Sequence, residues 1–224
     1  MLRVDSLAHR YGSARVLSGV FLHCAPGEIV GVLGRNGCGK TTMLRAIFGS
    51  LAADQIHVTI DNRSVGGALR AASISYLSQE PYLPRTLTVR RALELSIPGF
   101  DTETAAQSFP LLAPLLDSGQ TARRVRDLSG GEQRAVELFV ALSLPVRYTL
   151  LDEPFTEVEP AGRVPIAEVV TRTARETGRG IVVTDHAYRD VLAIADRLYV
   201  MAQGELYEVA SEAELARYGY TRGE

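Results

Sequence analysis

One stretch near the start of the chain has the residue types and spacing that phosphate binding requires. In order, its residues are Gly34, Arg35, Asn36, Gly37, Cys38, Gly39, Lys40, Thr41 and Thr42. They fit the pattern G-x-x-x-x-G-K-(S/T), whose glycines let bare backbone N–H groups approach phosphate oxygens. Lys40 adds a full positive charge, and the Thr41 hydroxyl can bind Mg²⁺. The stretch predicts a nucleotide phosphate site rather than a glycine-rich turn that binds nothing.

The segments on either side of this loop favour the same interpretation. Residues 28–33 form a short apolar run rich in β-branched residues, which is typical of a strand buried on both faces. Lys40–Phe48 lacks Gly and Pro and carries apolar residues at helical spacing. The positive end of such a helix would point at the phosphates.

Two carboxylates stand at the end of another apolar run. Tyr148–Asp152 is a predicted strand, and Glu153 follows it directly. In a parallel sheet the carboxyl end of this strand lies at the same edge as the phosphate loop. Asp152 suits Mg²⁺ bound through water, and Glu153 suits orienting or deprotonating an attacking water. The alternative is a pair of solvated acids at a strand end.

Two further polar side chains follow predicted strands. Gln79 comes after Ile74–Leu77, and His186 comes after Gly180–Thr184. At the carboxyl edge of a sheet, His186 could hydrogen-bond a terminal phosphate or its water. Taken alone, Gln79 is an ordinary surface residue. The remaining histidines are interpreted as structural: His9, His23 and His57.

A second glycine-containing motif occupies residues 128–133. Ser129 and Glu132 form a capping-box pattern ahead of an apolar helical run. The motif could simply begin a helix. Gly130 and Gly131 weaken a first turn, however, and are better explained if backbone amides there approach an anion.

Tyr11 is an aromatic residue beside Gly12 in a predicted turn. An exposed ring at such a place could stack on a nucleotide base. Taken alone, a packing role is more common.

The elements that must position these residues alternate between strands and helices. Residues 2–7, 16–23 and 56–60 are predicted strands, with turns at 61–62 and 66–67. Between Gln79 and Ser129 the pattern is helical: Thr88 caps a helix over 89–97, and 101–116 is broken near Pro110 and Pro114. Three further elements complete the chain. The first is a helix that begins at Glu157 and runs to about Glu176, and the second is a hairpin of 196–201 with 205–209. The third is a helix over 211–218 with a Ser211–Glu214 capping box.

Composition excludes several classes of protein. The 224 residues are 46% hydrophobic and 22% charged, as in ordinary globular domains. A formal net charge of -2 gives no global attraction to nucleic acid or anionic lipid. Cys24 and Cys38 are too few for a disulfide framework and are interpreted as reduced cytosolic thiols. We expect no signal peptide, and no run reaches the length of about 20 residues that a bilayer requires.

In this order, the motifs resemble the nucleotide-binding subunit of an ABC (ATP-binding cassette) transporter over essentially the whole chain. The resemblance implies an α/β P-loop NTPase cassette with a mixed or parallel core sheet, an N-terminal antiparallel β subdomain and an inserted α-helical subdomain. It implies a single domain over 1–224, in which 1–87 and 134–224 form the core with the β subdomain and about 88–133 form the helical subdomain.

The resemblance also assigns roles. Tyr11 matches the adenine-stacking aromatic, residues 34–42 the Walker A loop, and 128–133 the signature motif. Catalytic roles are implied for Glu153, His186, Gln79 and Lys40, and contact with Mg²⁺ for Thr41, Gln79 and Asp152. Nucleotide contacts are implied for the whole Walker A loop and for the signature residues: Ser129, Gly130, Gly131 and Glu132.

The implied activity is ATP hydrolysis coupled to transport. Two cassettes, identical or related, would close head to tail around ATP, so that the signature motif of one caps the γ-phosphate held by the other. A separate transmembrane permease would dock on the helical lobe and hold the subunit at the inner face of the cell membrane. No nucleic-acid partner is expected. The alternatives are a soluble cassette ATPase without a transporter, and a nucleotide-binding structural partner.

Three residues depart from the family pattern. Glu159 stands where the family usually has Asp before a helix, and Glu157 replaces a small residue. Glu137 begins a more apolar run than the family's usual basic, alanine-rich pattern. By resemblance, the first two lie in the loop that crosses the interface between two cassettes.

Overall fold

The strands form two sheets in the computed structural model, which describes residues 1–116, 122–210 and 212–219. In chain order they are β1 (Leu2–Tyr11), β2 (Ala14–Cys24), β3 (Ile29–Gly34), β4 (Gln55–Ile60), β5 (Arg63–Ser64), β6 (Ile74–Leu77), β7 (Tyr148–Asp152), β8 (Gly180–Thr184), β9 (Arg197–Ala202) and β10 (Glu205–Val209). The predicted strands are therefore present, and β5 was not predicted.

The helices lie between these strands. They are α1 (Lys40–Phe48), α2 (Gly67–Ser73), α3 (Val89–Ser96), α4 (Thr102–Ser108), α5 (Ala113–Leu116), α6 (Gly130–Ser143), α7 (Pro160–Thr177), α8 (Tyr188–Ile194) and α9 (Glu212–Arg217). Short 3-10 turns occupy Pro110–Leu112 and Val125–Asp127. Ser211 of the predicted last capping box lies outside the described residues.

The larger sheet has the order β10-β9-β3-β8-β7-β6. Its strands from β9 to β6 pair in parallel, and only the terminal β9–β10 hairpin is antiparallel. Every residue of β3, β7 and β8 is buried, as expected of strands covered on both faces. The carboxyl ends of β3, β8, β7 and β6 therefore lie side by side at one edge, and each precedes a candidate site residue.

The smaller sheet is antiparallel, with the order β2-β1-β4-β5. One buried cluster joins it to the larger sheet through the apolar face of α1, which contributes Met43, Leu44 and Ile47. This packing fixes the helix that follows the phosphate loop.

A second cluster covers the opposite face of the larger sheet. It includes residues of the helical segments between β6 and β7, among them Phe109 and Phe139, which pack edge to face with ring centres 5.4 Å apart. Thr88 caps α3 by accepting a hydrogen bond from the Arg91 amide, as predicted. The helix predicted over 101–116 is broken near Pro110, as predicted, whereas Pro114 lies in the first turn of α5 and does not interrupt it.

Two local predictions are wrong. Gly67 does not lie in a turn but begins α2, because the Ala, Leu and Arg residues that follow favour a helix and Gly66 supplies the extended cap. The helix predicted from Glu157 begins instead at Pro160, whose fixed φ suits a first helical position. Glu157 has a φ of 63° and lies in the preceding turn. Helix α8 was not predicted.

Candidate functional site

A cavity of about 500 Å³ opens at the carboxyl edge of the larger sheet. Most of the candidate residues from separate motifs meet in it. Its walls are formed by Tyr11, Val16, Asn36, Gly37, Gly39, Lys40, Thr41, Thr42, Gln79, Glu153 and His186. The side chains that the sequence placed at strand ends are thus close neighbours in space.

The glycines of the phosphate loop are required by the fold of the chain itself. Gly37 and Gly39 have φ values of 77° and 113°, a left-handed region that residues with a β-carbon rarely adopt. A β-carbon on Gly34 would lie 2.5 Å from the Cys38 Sγ, closer than such atoms can approach. The loop conformation therefore depends on all three glycines.

Lys40 is the first residue of α1, and its side chain is only 5% exposed. Its ammonium group donates to the carbonyl oxygens of Gly34, at 2.8 Å, and of Arg35, at 3.4 Å. The charge is therefore held over the loop. A phosphate lying in the loop would meet a cation that is already in place.

Gln79 joins the phosphate loop to the carboxylate that follows β7. Its Oε1 accepts from the Thr41 hydroxyl at 3.4 Å, and its Nε2 donates to Glu153 Oε2 at 3.1 Å. This places one amide between the loop and the acid.

Glu153 is held in a left-handed conformation, with a φ of 54°. Such a backbone costs on the order of 1–3 kcal/mol in a non-glycine residue and is common at functional sites. Its amide donates to the Thr184 carbonyl at 2.7 Å, while Oε2 also accepts from the Thr156 hydroxyl at 3.2 Å. His186 Nδ1 lies 3.8 Å from the same oxygen. The carboxylate is thereby aimed into the cavity.

Asp152 occupies a different environment from Glu153. It is completely buried, and its two oxygens accept from the hydroxyls of Thr184, at 2.7 Å, and Tyr76, at 3.0 Å. Burial, together with the Asp152 charge, raises the pKa of Tyr76, so the phenol keeps its proton and remains a donor. In this conformation Asp152 does not line the cavity.

Tyr11 is half exposed at the end of β1, next to the β1–β2 turn. The His9 ring packs edge-on against it, with ring centres 4.7 Å apart. The Tyr11 ring therefore lines the cavity and is held in place by its contact with His9.

Several candidate residues do not line this cavity. Gly34, Arg35 and Cys38 belong to the phosphate loop without forming its walls. Ser129, Gly130, Gly131 and Glu132 lie at the start of α6, where Ser129 and Glu132 form the predicted capping box. Arg123 pairs with Glu132 at 3.0 Å and is the main cause of the lowered pKa of that carboxyl.

Glu157 lies against the same helix start. Its Oε2 is 2.6 Å from the position that a β-carbon on Gly130 would take, and its carbonyl oxygen is 3.3 Å from the corresponding position on Gly131. The paired glycines therefore make room for the turn after β7. The larger residue at 157 is accommodated by Gly130.

Sequence reasoning did not single out four neighbours of the site: Tyr76, Thr156, Thr184 and Arg134. Arg134 donates to the backbone carbonyl of Ser78, next to Gln79, and to that of Glu153. A detectable signal was present, because Arg134 and Glu137 are charges three residues apart within an otherwise apolar helical run. Charged residues on a buried helix face need groups of opposite charge or hydrogen-bonding partners nearby.

A metal site made of protein groups alone is not found in the described segments, where no three His, Cys, Asp or Glu side chains cluster suitably. Thr41 Oγ1 and Gln79 Oε1 nevertheless form a pair of hard oxygen donors facing the cavity. Mg²⁺ commonly binds through few protein ligands together with substrate phosphates, so this donor set fits it. None of the described helices has the length and hydrophobicity needed to cross a membrane.

Comparisons with known proteins agree with this geometry. The sequence model of a family described as "ABC transporter" matches residues 17–156. The chain is 34% identical over 223 residues to the lipopolysaccharide export system ATP-binding protein LptB of Escherichia coli K12, covering 96% of this chain and 92% of that one. It is 35% identical over 212 residues to a putative ABC transporter ATP-binding protein of Halobacterium salinarum, covering 92% and 91%.

Solved structures show the same fold. The ATP-binding subunit of an ABC transporter superposes with a TM-score of 0.82 at 22% identity, covering 98% of this chain and 93% of that one. A dimeric bacterial ABC transporter cassette superposes with a TM-score of 0.80 at 22% identity, covering 94% and 100%. The expected α/β cassette fold, with its antiparallel N-terminal sheet and its mixed core sheet, is confirmed.

Proposed function

Since the chain belongs to the ABC transporter family, we propose that it is the ATP-binding and ATP-hydrolysing subunit of a transporter, energising a separate transmembrane partner. One observation carries this proposal. A single cavity brings together the phosphate-loop lysine, the Gln79 amide, the Glu153 carboxylate and His186. These are the groups that binding a nucleotide and activating a water at its terminal phosphate require.

The cavity divides into two ends with different tasks. At one end Tyr11 stacks on the base, and at the other the loop amides and Lys40 hold the phosphates. Glu153 takes the proton of the attacking water, while Gln79 orients the carboxylate through their 3.1 Å hydrogen bond. His186, within reach of the same carboxylate, holds the water or the departing phosphate.

Mg²⁺ would be held by Thr41 and Gln79, and Asp152, which does not line the cavity, would act on it through neighbouring groups. When bound, it would neutralise charge that develops on the phosphates. Because Asp152 is fully buried and doubly hydrogen-bonded, its contribution is to orient and polarise its neighbours.

The partners follow from the family and from the exposed signature motif. A second cassette would bring its own residues 129–132 to the nucleotide, since these lie outside the cavity of the same chain. Residues 88–133 would act as a helical subdomain within the single domain and receive the transmembrane permease. That partner would hold the subunit at the inner face of the membrane. Relatives named for lipopolysaccharide export and for Fe(3+) ion import support a transport role.

A direct test measures phosphate release by the purified chain as a function of protein and ATP concentration, with Mg²⁺ and with EDTA. We expect Mg²⁺-dependent hydrolysis whose specific rate rises with protein concentration, because two chains complete each site. Hydrolysis absent at every concentration, with ATP still bound, would exclude the enzymatic role.

Replacing Tyr11 with alanine should weaken the binding of ATP and GTP by similar factors. Stacking contributes on the order of 1–3 kcal/mol per base and does not distinguish base edges. The ring is half exposed in the cavity, so its removal should leave the fold intact. Titration with each nucleotide measures the effect, and Tyr207→Ala, an exposed tyrosine on β10, is the control. Unchanged nucleotide affinities for the Tyr11 variant would show that the ring packs against its neighbours and does not stack on the base.

Replacing Glu159 with alanine should lower turnover several-fold while leaving the ATP affinity of the monomer nearly unchanged. Glu159 is exposed immediately before α7, and its side chain makes no capping hydrogen bond there. In the family this position faces the second cassette, so its carboxylate would act only in the closed dimer. Turnover and melting temperature are measured together. A small loss of melting temperature with unchanged turnover would show that Glu159 only complements the helix dipole, worth about 0.3–1 kcal/mol.

A further inference from the structure

Arg134 is a buried arginine whose guanidinium group contacts two separate strand ends. It lies on α6 and is only 7% exposed. Nη1 donates to the carbonyl of Ser78 at 2.5 Å, and Nη2 donates to the carbonyls of Asp152 and, at 3.0 Å, Glu153. One side chain thus holds the backbone beside Gln79 and the backbone of the two acids.

Glu137 lies one turn further along the same face of α6 and is 1% exposed. Its Oε1 accepts from the backbone amides of Tyr82, at 3.0 Å, and Leu83, at 3.4 Å. The Tyr82 hydroxyl donates to the Glu137 carbonyl at 3.1 Å. The segment that carries Gln79 is therefore tied to α6 on both sides, by Arg134 before it and by Glu137 after it.

The two charges also balance each other. Their closest approach, between Arg134 Nη1 and Glu137 Oε2, is 3.8 Å. Burial lowers the pKa of Arg134, whereas Glu137, Asp152 and Asp185 favour its charged form. A buried charge without partners is strongly disfavoured, but each of these groups has neighbours of opposite charge or backbone dipoles.

We propose that Arg134 and Glu137 are positioning residues for hydrolysis, which hold Gln79 and Glu153 at hydrogen-bond distance and link both to the helix that carries the signature motif. The pair is called the α6 brace below. This inference rests on the proposed ATPase function.

The geometry explains how the brace would act. Gln79 Nε2 and Glu153 Oε2 are 3.1 Å apart, and the backbones on both sides of that contact share the guanidinium of Arg134. A shift of α6 would move both strand ends together. Without the guanidinium, the strand end before Gln79 and the strand end at Glu153 would relax independently of each other. A displacement of about 1 Å at a reacting group can lower the rate roughly 10²-fold.

Arg179 provides a matched control. It is also a buried arginine, and it donates to two carbonyls at the other end of α6, those of Leu142 and Leu144, each at 2.7 Å. Burial lowers its pKa as well. It differs from Arg134 in lying away from the cavity, so a purely structural effect should be similar for both residues.

The experiment compares Arg134→Gln, Arg134→Lys and Arg179→Gln in the full chain. For Arg134→Gln we expect kcat to fall roughly 10- to 100-fold, with the Kd for ATP changed less than about threefold. Arg134→Lys keeps the charge but cannot reach carbonyls in two directions, so kcat should recover only in part. Arg179→Gln should lower the melting temperature and leave kcat per folded molecule within about twofold.

Glu137→Gln tests the other half of the brace. It keeps an oxygen for the amides of Tyr82 and Leu83 but removes the charge, so kcat should fall less than with Glu137→Ala. Unchanged kcat in Arg134→Lys and Glu137→Ala, or equal losses in the Arg134 and Arg179 glutamine variants, would overturn the brace. Should the wild type bind ATP without hydrolysing it, the proposed function fails instead, and the two failures are thus distinct.

Discussion

Replacing Glu153 with glutamine should lower the rate of ATP hydrolysis by roughly 10² or more, the usual contribution of a general base, while ATP binding is retained. Glutamine keeps the size of the side chain and one acceptor oxygen for Gln79 and Thr156. What disappears is the basic oxygen that takes a proton from water. Because nucleotide remains bound and is not consumed, the variant should also accumulate as an ATP-bound dimer.

The measurement combines steady-state phosphate release with size-exclusion chromatography in ATP and in ADP. Glu168→Gln, an identical change at an exposed position of α7, is the control and should behave as the wild type. Near-normal turnover of the Glu153 variant would remove this carboxylate from the mechanism.

The strand ends show how far a sequence can locate a site. The prediction that Gln79, Glu153 and His186 lie beside the phosphate loop needed only a parallel sheet and short apolar runs, and both are present. Each of these residues lies within two residues of the end of its strand, so its position depends on local chain direction. The fold class was predictable for the same reason. The roles of these residues remain predictions that the variants test.

The environment around each side chain was less predictable, because it depends on contacts between distant segments. Asp152 and Glu153 are neighbours in sequence, yet one is fully buried and the other faces the cavity. The difference arises from the left-handed backbone at Glu153 and from the hydroxyls of Tyr76 and Thr184. No pattern within residues 148–153 indicates these partners.

Glu137 illustrates the same limit on a helix. In the sequence it is an unexplained acid at the start of an apolar run, and three-dimensional structure gives it a partner in the segment after Gln79. Glu157 is comparable, because its left-handed turn and its approach to Gly130 involve residues far apart in the chain. These two departures from the family pattern thus have physical explanations that only the packing reveals.

Replacing Lys40 with alanine should weaken ATP binding by roughly 10- to 100-fold, since a hydrogen bond to a charged group contributes about 1.5–3 kcal/mol. The lysine is buried over the loop and already bonded to the Gly34 carbonyl, so its charge is positioned before a phosphate arrives. The loss should depend on phosphate number: large for ATP, and small for AMP, which lacks the phosphates that the lysine reaches.

This dependence distinguishes Lys40 from Tyr11, whose removal should weaken ATP and AMP equally because stacking involves only the base. Arg63→Ala is the control, as this exposed arginine on β5 is not part of the cavity wall. Titrations of ATP, ADP and AMP against the three variants separate the two ends of the site. Equal losses for ATP and AMP in the Lys40 variant would mean that the mutation collapses the loop rather than removing a phosphate contact. Melting temperature with and without ATP would then show the collapse directly, as a loss of stability in the absence of nucleotide.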